Sequence, residues 1–222
     1  MRLKILPKLS SDVPVSQLDR VLQQGITTLD LQVEDAARAA MLQYLGLLER
    51  WNKAYNLTSI KDPLQMVSYH LLDSLSIGPH LQGRSFIDVG TGAGLPGIPL
   101  AVTHPNKSFS LLDSNGKRIR FLFQIKSALQ LANVKEMQAR VEQYIPEECY
   151  DGVISRAFAS LADMIGGCAH LLPSGGCFYA MKGRYPDKEL SELPKGYKVE
   201  QAIELVVPTL DQQRYLIIIK KP

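Results

Sequence analysis

The sequence predicts an α/β protein in which a helical N-terminal cap precedes a seven-stranded, mostly parallel sheet with one antiparallel strand. Two observations predict this fold. Helical periods fill the first 80 residues, whereas short apolar strands and amphipathic helices alternate from residue 86 onward. A short turn without a helix joins the last two predicted strands, so these two run in opposite directions.

The composition excludes several broad classes of protein. The chain has 222 residues, enough for one substantial domain plus an appendage. No apolar stretch approaches the roughly 20 residues that cross a bilayer, and the N-terminus lacks the apolar core of a signal peptide, so we expect a cytoplasmic protein. Cys149, Cys168 and Cys177 fit neither a disulfide framework nor a metal site. A net charge of +3 confines any nucleic-acid surface to a local patch.

The first part of the chain is predicted to be helical. Residues 1–15 mix Lys, Pro and Ser without a period, which predicts a mobile arm, and residues 16–82 form the predicted cap. Within the cap, Ser16 can begin a short helix that Gly25 ends. Two longer amphipathic helices are predicted over residues 33–55 and from Asp62 to about Gly78.

The remainder, residues 83–222, is predicted to form the sheet with helices on both faces. Strands that alternate with helices are parallel, because a parallel connection needs a crossover. The predicted strands cover residues 86–89, 108–112, 134–139, 151–155, 177–182, 197–207 and 214–220, and the predicted helices lie near residues 95–103, 115–131 and 160–171.

A glycine-rich turn links the first strand of this sheet to the first helix. The segment Phe86–Gly97 reads FIDVGTGAGLPG, in which Gly90, Gly92 and Gly94 permit positive φ and let backbone N–H groups approach a ligand. The following helix turns its positive dipole end toward the same place. Asp113 ends the next strand, where its carboxylate can accept both hydroxyls of a ribose. This combination predicts a site for a nucleotide-type cofactor.

Five separated segments of the chain carry a resemblance to a known family. They are Trp51–Thr58, His70–Ser74, Phe86–Gly97, Leu111–Ser114 with Lys117 and Arg118, and Ile154–Ser160. In this order they closely resemble the bacterial 16S ribosomal RNA (guanine-N7) methyltransferases, also called glucose-inhibited division protein B. The resemblance covers the chain from about residue 30 to its C-terminus. It implies a Rossmann-like class I methyltransferase domain at residues 83–222, S-adenosyl-L-methionine as cofactor, and guanine 527 of the small-subunit RNA as acceptor.

The chemistry of the cofactor suggests what each site residue would hold. Asp113 suits the ribose diol, and the glycine-rich turn around Gly92, together with the N-terminus of the following helix, suits the methionine carboxylate. Val141 and Glu142 would bracket the adenine. Asp88, at the end of the first strand, either orders the glycine-rich turn or meets the methionine ammonium. The resemblance itself implies cofactor contacts from Gly90, Leu95, Val141, Glu142 and Arg156.

The segment after the fourth strand bears on the acceptor atom. Methylation at cytosine C5 needs a cysteine nucleophile, and exocyclic amine methylation in related enzymes uses an Asn- or Asp-Pro-Pro-aromatic loop. The segment here reads Ser155-Arg156-Ala157-Phe158 and holds neither. Guanine N7 has an exposed lone pair and loses no proton during attack, so an enzyme acting there needs no general base. We therefore assign no residue as a catalytic acid or base.

Arg156 and His70 are the candidates for positioning the substrate. Arg156 can hold a guanine edge, an RNA phosphate or the cofactor, or it can form a salt bridge at the edge of the sheet. His70 shares one helix face with Asp73, and the two can shape the mouth of the site; the alternative is a histidine packed in the core. Separately, Phe158 can stack on the target base, but an aromatic residue just after a strand is more often part of the core.

Basic side chains around the site suggest the partner. N7 lies on a base edge that a folded RNA must present, so we expect phosphate contacts from Lys117 and Arg118 and from Lys182 and Arg184. A basic helix face that is only solvated is the alternative. The expected partner is 16S ribosomal RNA or the small ribosomal subunit, and the expected protein is a monomer that needs no membrane and no metal.

Two other functions compete with this interpretation. A nicotinamide-dependent oxidoreductase shares the glycine-rich turn and the acid after the second strand, but the G-x-G-x-G spacing is one residue tighter than the dinucleotide fingerprint and the final strand is reversed. A non-catalytic ribosome-assembly factor with a relic cofactor fold is opposed by the intact glycines and Asp113.

Overall fold

The strands of the protein join in one sheet. The structure is a computed structural model that describes residues 13–222, so the predicted arm lies mostly outside the described residues. The described strands are β1 (Ser85–Val89), β2 (Ser108–Asp113), β3 (Val134–Gln138), β4 (Gly152–Ser155), β5 (Cys177–Lys182), β6 (Lys198–Glu204) and β7 (Tyr215–Lys220).

The order of the strands confirms the predicted topology. The seven-stranded sheet has the order β3-β2-β1-β4-β5-β7-β6. Strands β1 to β5 run parallel, and β7 runs antiparallel to both β5 and β6. Because β1 lies between β2 and β4, the chain order reverses at β1, and the carboxyl ends of these strands border a crevice.

Helices form the cap and cover the sheet. The cap contains α1 (Val15–Thr28), α2 (Asp35–Tyr55), and a continuous stretch of α3 (Pro63–Met66), a π-helical segment (Val67–Leu72) and α4 (Asp73–Leu75). The sheet is accompanied by α5 (Gly97–Thr103), α6 (Gly116–Leu129), α7 (Leu161–Cys168) and α8 (Asp187–Ser191). The side chains of Asp62, Asn115 and Ser160 begin α3, α6 and α7, each accepting a hydrogen bond from a backbone N–H two or three residues later.

Some predicted boundaries are wrong. Helix α1 begins at Val15 without a side-chain cap from Ser16, and it continues past Gly25 to Thr28. Gly25 serves close packing instead of helix termination, because a Cβ there would lie 2.3 Å from Leu72 Cδ1. Strand β6 stops at Glu204, before the predicted end at residue 207. The short helix α8 has no counterpart among the predicted elements.

One continuous core joins the cap to the sheet. Leu18 and Leu71 of the cap are buried in the same cluster as Phe86, Phe109 and Phe121, which belong to β1, β2 and α6. A second buried cluster packs α7 against the opposite face of the sheet. The cap therefore packs on the same side of the sheet as α5 and α6. A division of the chain between residues 82 and 83 stays a prediction. Within residues 13–222, no helix combines the length and apolarity needed to cross a membrane.

Candidate functional site

The carboxyl ends of β1, β2 and β4 border a cavity of about 250 Å³. This is the place where an open α/β sheet binds its ligand, at the reversal of strand order. Of the predicted cofactor residues, Gly90, Asp113, Val141 and Glu142 line the cavity. The complete lining is Val89, Gly90, Leu112, Asp113, Ser114, Arg118, Ala139, Arg140, Val141, Glu142, Ala157 and Phe158.

The glycine-rich turn has a backbone that only glycine adopts without strain. The φ angles of Gly90, Gly92 and Gly94 are +70°, +60° and +90°. Close packing excludes side chains at two of these positions, since a Cβ would lie 2.6 Å from Ala157 Cβ at Gly90 and 2.5 Å from Ile98 Cγ1 at Gly94. At Gly92 the nearest atom to a Cβ would be Gly90 O at 4.0 Å. The turn therefore presents open backbone at Gly92, as the close approach of a ligand requires.

Asp113 ties the glycine-rich turn to the segment after β2. Its carboxylate accepts hydrogen bonds from Gly92 N at 3.0 Å and Asn115 N at 2.9 Å. Arg118 Nη1 donates to it at 3.1 Å. Asp113 is 4% exposed, so these donors hold the carboxylate in one orientation at the cavity wall. Its predicted bond to a ribose stays a prediction.

Asp88 binds both ends of the same turn. Its Oδ2 accepts hydrogen bonds from Thr91 Oγ1 at 2.7 Å and from Gly97 N at 2.9 Å. Its Oδ1 is buried and has no partner in the described part of the chain. Burial raises the pKa of Asp88 to about 6. Asp88 therefore orders the glycine-rich turn through Oδ2. Binding of the methionine ammonium by the unpaired Oδ1 stays a prediction.

The first N–H groups of α5 already have acceptors inside the protein, and the predicted attraction of a ligand carboxylate to this end of the helix stays a prediction. The helix has seven residues, and its first N–H group, from Gly97, donates to Asp88 Oδ2. The next N–H group, from Ile98, donates to Gly94 O at 2.7 Å. These donors are satisfied inside the protein, so a ligand carboxylate must find its donors in the glycine-rich turn instead.

A buried carboxylate of the cap binds two arginines that flank strands of the sheet. Asp73 is 2% exposed; its Oδ2 accepts from Arg156 Nη1 at 2.9 Å and its Oδ1 from Arg214 Nε at 3.1 Å. Arg156 follows β4, and Arg214 immediately precedes β7. The salt bridge considered for Arg156 is thus present, and Arg156 does not line the cavity. Its contact with cofactor or RNA stays a prediction.

His70 is packed inside the cap. It is 6% exposed, and its Nε2 lies 2.9 Å from Thr58 Oγ1. Burial lowers the pKa of His70 to about 4, so the ring is neutral near pH 7. His70 is thus surrounded as a histidine packed in the core would be. A role of His70 in positioning a substrate stays a prediction.

The remaining predicted residues near the cavity differ in their placement. Leu95 is 5% exposed and lies outside the cavity lining, and its N–H donates to Thr91 O at 3.0 Å. Phe158 is half-buried, lines the cavity and packs close to Gly167. Phe158 therefore forms part of the cavity wall and also packs against the hydrophobic core. Its stacking on a target base stays a prediction.

The predicted RNA-binding cations fall into two groups. Arg118 pairs with Asp113, and Lys182 pairs with Glu189 at 2.8 Å with a side chain that is 14% exposed. Lys117 and Arg184 are exposed, and neither has an ion-pair partner among residues 13–222. Lys117 and Arg184 can therefore contact a phosphate directly, whereas Arg118 and Lys182 would first have to leave their carboxylate partners.

The sequence did not predict two residues that contact the site, Arg214 and Tyr44. Arg214 lies 141 positions from Asp73, and no local motif marks it. Tyr44 occupies a core position in the helical period of α2, yet its hydroxyl donates to Ala93 O in the glycine-rich turn at 2.9 Å. A buried polar hydroxyl in an otherwise apolar helix stripe is the one signal that could have marked Tyr44.

The residues of the cavity fit S-adenosyl-L-methionine. Asp113 offers an oriented carboxylate for a ribose, and Val141 adds an apolar surface for a purine. Asp88 lies outside the cavity lining and is 1% exposed, but its Oδ1 remains an unused acceptor beneath the glycine-rich turn. No metal-binding group of His, Cys, Asp and Glu occurs in the part of the chain that the structure describes. The sheet with its reversed β7, together with this cavity, defines a Rossmann-like class I methyltransferase.

Comparison with known proteins identifies the family. The family model for "rRNA small subunit methyltransferase G" matches residues 37–217, and the chain belongs to this family. The enzyme of that name from Serratia proteamaculans (strain 568) is 53% identical over 206 residues, which cover 92% of this chain and 98% of the relative. The one from Shewanella piezotolerans is 50% identical over 200 residues, which cover 90% and 97%.

A solved structure agrees on the fold. The N-methyltransferase NodS from Bradyrhizobium japonicum WM9, in complex with S-adenosyl-L-homocysteine, matches with a TM-score of 0.56 at 12% identity. The match covers 78% of this chain and 99% of NodS. At this low identity the likeness concerns the fold, in which the two proteins share the methyltransferase architecture.

Proposed function

We propose that this protein transfers a methyl group from S-adenosyl-L-methionine to N7 of guanine 527 in 16S ribosomal RNA. Its family makes it an S-adenosylmethionine-dependent methyltransferase of small-subunit ribosomal RNA. The observation that carries the proposal is the match of this family over residues 37–217, which contain the complete cavity lining. The choice of N7 at position 527 rests on the five resembling segments and on the acceptor chemistry below.

The cofactor would be held by three parts of the site. Asp113 would hold the ribose, and Val141 and Glu142 the adenine. The glycine-rich turn, which borders the cavity at Gly90, would hold the methionine end. The bound cofactor would supply an electrophilic methyl carbon on a positively charged sulfur. The protein contributes alignment and exclusion of water, which bring the methyl group and the acceptor atom together in line.

The acceptor atom needs no base from the protein. Guanine N7 presents a lone pair and carries no hydrogen, so its attack on the methyl carbon releases no proton. The cavity lining contains no histidine, cysteine or lysine, and its two carboxylates, Asp113 and Glu142, are the ones proposed to hold the cofactor. A site used in this way suits an acceptor atom that has a free lone pair and no proton to lose.

Mass mapping of ribosomal RNA tests the proposal. Small-subunit RNA from cells with and without this protein is digested, and the fragment that contains guanine 527 is weighed. We expect one methyl group on that guanine only where the protein is present, and its N7 position follows from strand scission after borohydride and aniline treatment. An unchanged fragment at 527 would contradict the proposal.

The affinity for S-adenosyl-L-methionine is expected to depend on pH through Asp88. If Asp88 Oδ1 accepts the methionine ammonium, binding favours the ionised carboxylate, and below its pKa of about 6 a proton must leave first. The dissociation constant should then rise about tenfold for each pH unit below about 6 and stay level between about pH 7 and 8. Titration calorimetry from pH 5 to 8 measures this dependence.

Asp88→Asn serves as the control for this pH profile. The amide keeps the size of the side chain but does not titrate, so the variant should bind weakly at every pH, with a flat profile. A wild-type affinity that stays constant from pH 5 to 8 would rule out the pairing of Asp88 with the ammonium and leave Asp88 as a clamp of the turn.

Arg184→Ala is expected to weaken binding of the RNA. Arg184 is exposed and unpaired among the described residues, so it can contact a phosphate without losing a protein partner. The loss of one phosphate contact should lower the salt dependence of binding by about one charge while the affinity for S-adenosyl-L-methionine stays the same. Filter binding over a salt series measures both the affinity and the slope.

Two further variants make this experiment specific. Lys182→Ala breaks the ion pair with Glu189, so we expect it to change stability more than the salt slope. Lys135 is exposed on the edge strand β3, away from β5, and Lys135→Ala should leave RNA binding unchanged. An equal loss of RNA affinity in the Arg184 and Lys135 variants would contradict a local RNA surface.

We also propose a monomer that acts in the cytoplasm, where ribosomal subunits are made. The lack of a membrane-spanning helix in the described residues is consistent with this location. Size-exclusion chromatography with light scattering would test the oligomeric state, and a stable dimer would contradict it.

A further inference from the structure

A tyrosine of the cap contacts the centre of the glycine-rich turn. Tyr44 lies on α2 and is fully buried, and its hydroxyl donates a hydrogen bond to Ala93 O at 2.9 Å. The ring of Tyr44 lies beside the ring of Phe121 on α6, with the ring centres 6.3 Å apart. Burial and the neighbouring ring of Phe121 therefore hold the Tyr44 ring in place, and its hydroxyl reaches the turn from this position.

Among residues 90–95 of the turn, Ala93 is the one whose backbone N–H has no hydrogen-bond acceptor in the described part of the chain. The N–H groups of residues 90, 91, 92, 94 and 95 all donate to acceptors inside the protein, at 2.9–3.2 Å. For the N–H of Ala93 the described part of the chain supplies no acceptor, and the residue is only 4% exposed. Ala93 lies three residues after Gly90, which lines the cavity. Because an N–H without a partner in a largely buried residue is costly, a ligand acceptor that reached it would bind favourably.

The peptide group that carries the Ala93 oxygen is fixed at both ends, because Ala93 O accepts from Tyr44 and the N–H of Gly94 donates within the turn at 2.9 Å. Before Ala93, Gly92 N donates to Asp113 and fixes the peptide group that precedes Gly92. The peptide group that carries the Ala93 N–H therefore lies between two fixed planar groups, which limits its rotation.

We propose that Tyr44 is a positioning residue for the cofactor: its hydroxyl holds Ala93 so that the free N–H of Ala93 can donate to the methionine carboxylate of S-adenosyl-L-methionine. This rests on the proposed function. It gives the helical cap a direct part in cofactor binding, through a hydrogen bond that spans 49 positions of the sequence.

Tyr44→Phe tests the proposal because it removes one hydroxyl and keeps the packed ring. We expect a five- to tenfold higher dissociation constant and KM for S-adenosyl-L-methionine, the size of one hydrogen bond, with an unchanged KM for the RNA. The matched control is Tyr179→Phe. Tyr179 on β5 is 1% exposed, and its hydroxyl accepts from Gln82 N at 3.0 Å, before β1 and away from the cavity.

The control separates cofactor positioning from stability. Both variants should lower the melting temperature, but Tyr179→Phe should keep the wild-type KM for both substrates. If Tyr44→Phe binds S-adenosyl-L-methionine within twofold of wild type, the proposal is overturned and the hydroxyl serves stability alone. If the wild-type protein does not bind S-adenosyl-L-methionine, the proposed function fails instead.

A second measurement uses the unaltered protein and stays decisive if Tyr44→Phe does not fold. Hydrogen exchange at the amide of Ala93 is followed by NMR with and without S-adenosyl-L-homocysteine, which retains the methionine carboxylate. We expect exchange at Ala93 to slow at least tenfold in the complex. An unchanged exchange rate in a saturated complex would contradict the bond from Ala93.

Discussion

Asp113→Ala is expected to raise the dissociation constant of S-adenosyl-L-methionine about 100-fold and to abolish methylation of the RNA at ordinary cofactor concentrations. The variant removes the carboxylate proposed to hold the ribose, and it frees Gly92 N, Asn115 N and Arg118 from their common acceptor. Loss of charge-assisted hydrogen bonds of this kind costs about 2–3 kcal/mol, which corresponds to that change in affinity. Titration calorimetry and a methyl-transfer assay measure the two effects.

Asp151→Ala is the matched control for this variant. Asp151 also binds backbone donors, from Arg84 N at 2.7 Å and Ser85 N at 2.9 Å, but at the amino end of β1 instead of the carboxyl end. These bonds lower the pKa of Asp151, as expected for a carboxylate held by N–H donors. Both variants should be less stable, and only Asp113→Ala should lose the cofactor. Equal cofactor affinities in the two variants would contradict the assignment of Asp113.

Asp73→Ala is expected to lower the free energy of unfolding by about 3 kcal/mol. The carboxylate is nearly inaccessible and binds two guanidinium groups, one from the residue after β4 and one from the residue before β7, so its removal leaves two cations partly buried without their counterion. The side chains of Arg156 and Arg214 are 30% and 16% exposed, and water can relieve part of this cost for Arg156. Urea denaturation followed by circular dichroism measures the change.

An exposed ion pair of the cap provides the comparison. Asp35 pairs with Arg38 at 2.8 Å on α2, but its side chain is 93% exposed. Asp35→Ala should therefore change the stability little, because a surface ion pair gains almost nothing over its solvated partners. A loss in Asp73→Ala no larger than in Asp35→Ala would show that the two arginines do not depend on Asp73.

The sheet was predictable because its signals are local. Each strand is a short apolar run bounded by turn residues, and the alternation with helices fixes the parallel direction. The short connection between β6 and β7 is enough to predict the reversal. Likewise, the glycines at positions 90, 92 and 94 and the nearby Asp113 mark the cavity from one stretch of the chain. The residue types predict the positive φ angles of the turn but not its hydrogen bonds.

What escaped prediction depends on contacts between distant parts of the chain. Gly25 looks like a helix end, but its contact with Leu72, from another helix, keeps it inside α1. The exposure of Lys182 is set by Glu189, on a helix that no sequence period indicates. The pairing of Asp73 with Arg214 and the bond from Tyr44 to Ala93 join positions that only the folded chain brings together. Side-chain partners of this kind cannot be read from spacing alone.

A crystal structure of the protein grown with S-adenosyl-L-methionine tests the central claim most directly, namely that one cavity at the carboxyl edge of the sheet holds the methyl donor. We expect density for the cofactor between the glycine-rich turn and Val141, with its ribose on Asp113 and its carboxylate near Ala93 N. A cavity that stays empty at saturating cofactor, or a cofactor bound elsewhere on the protein, would contradict it.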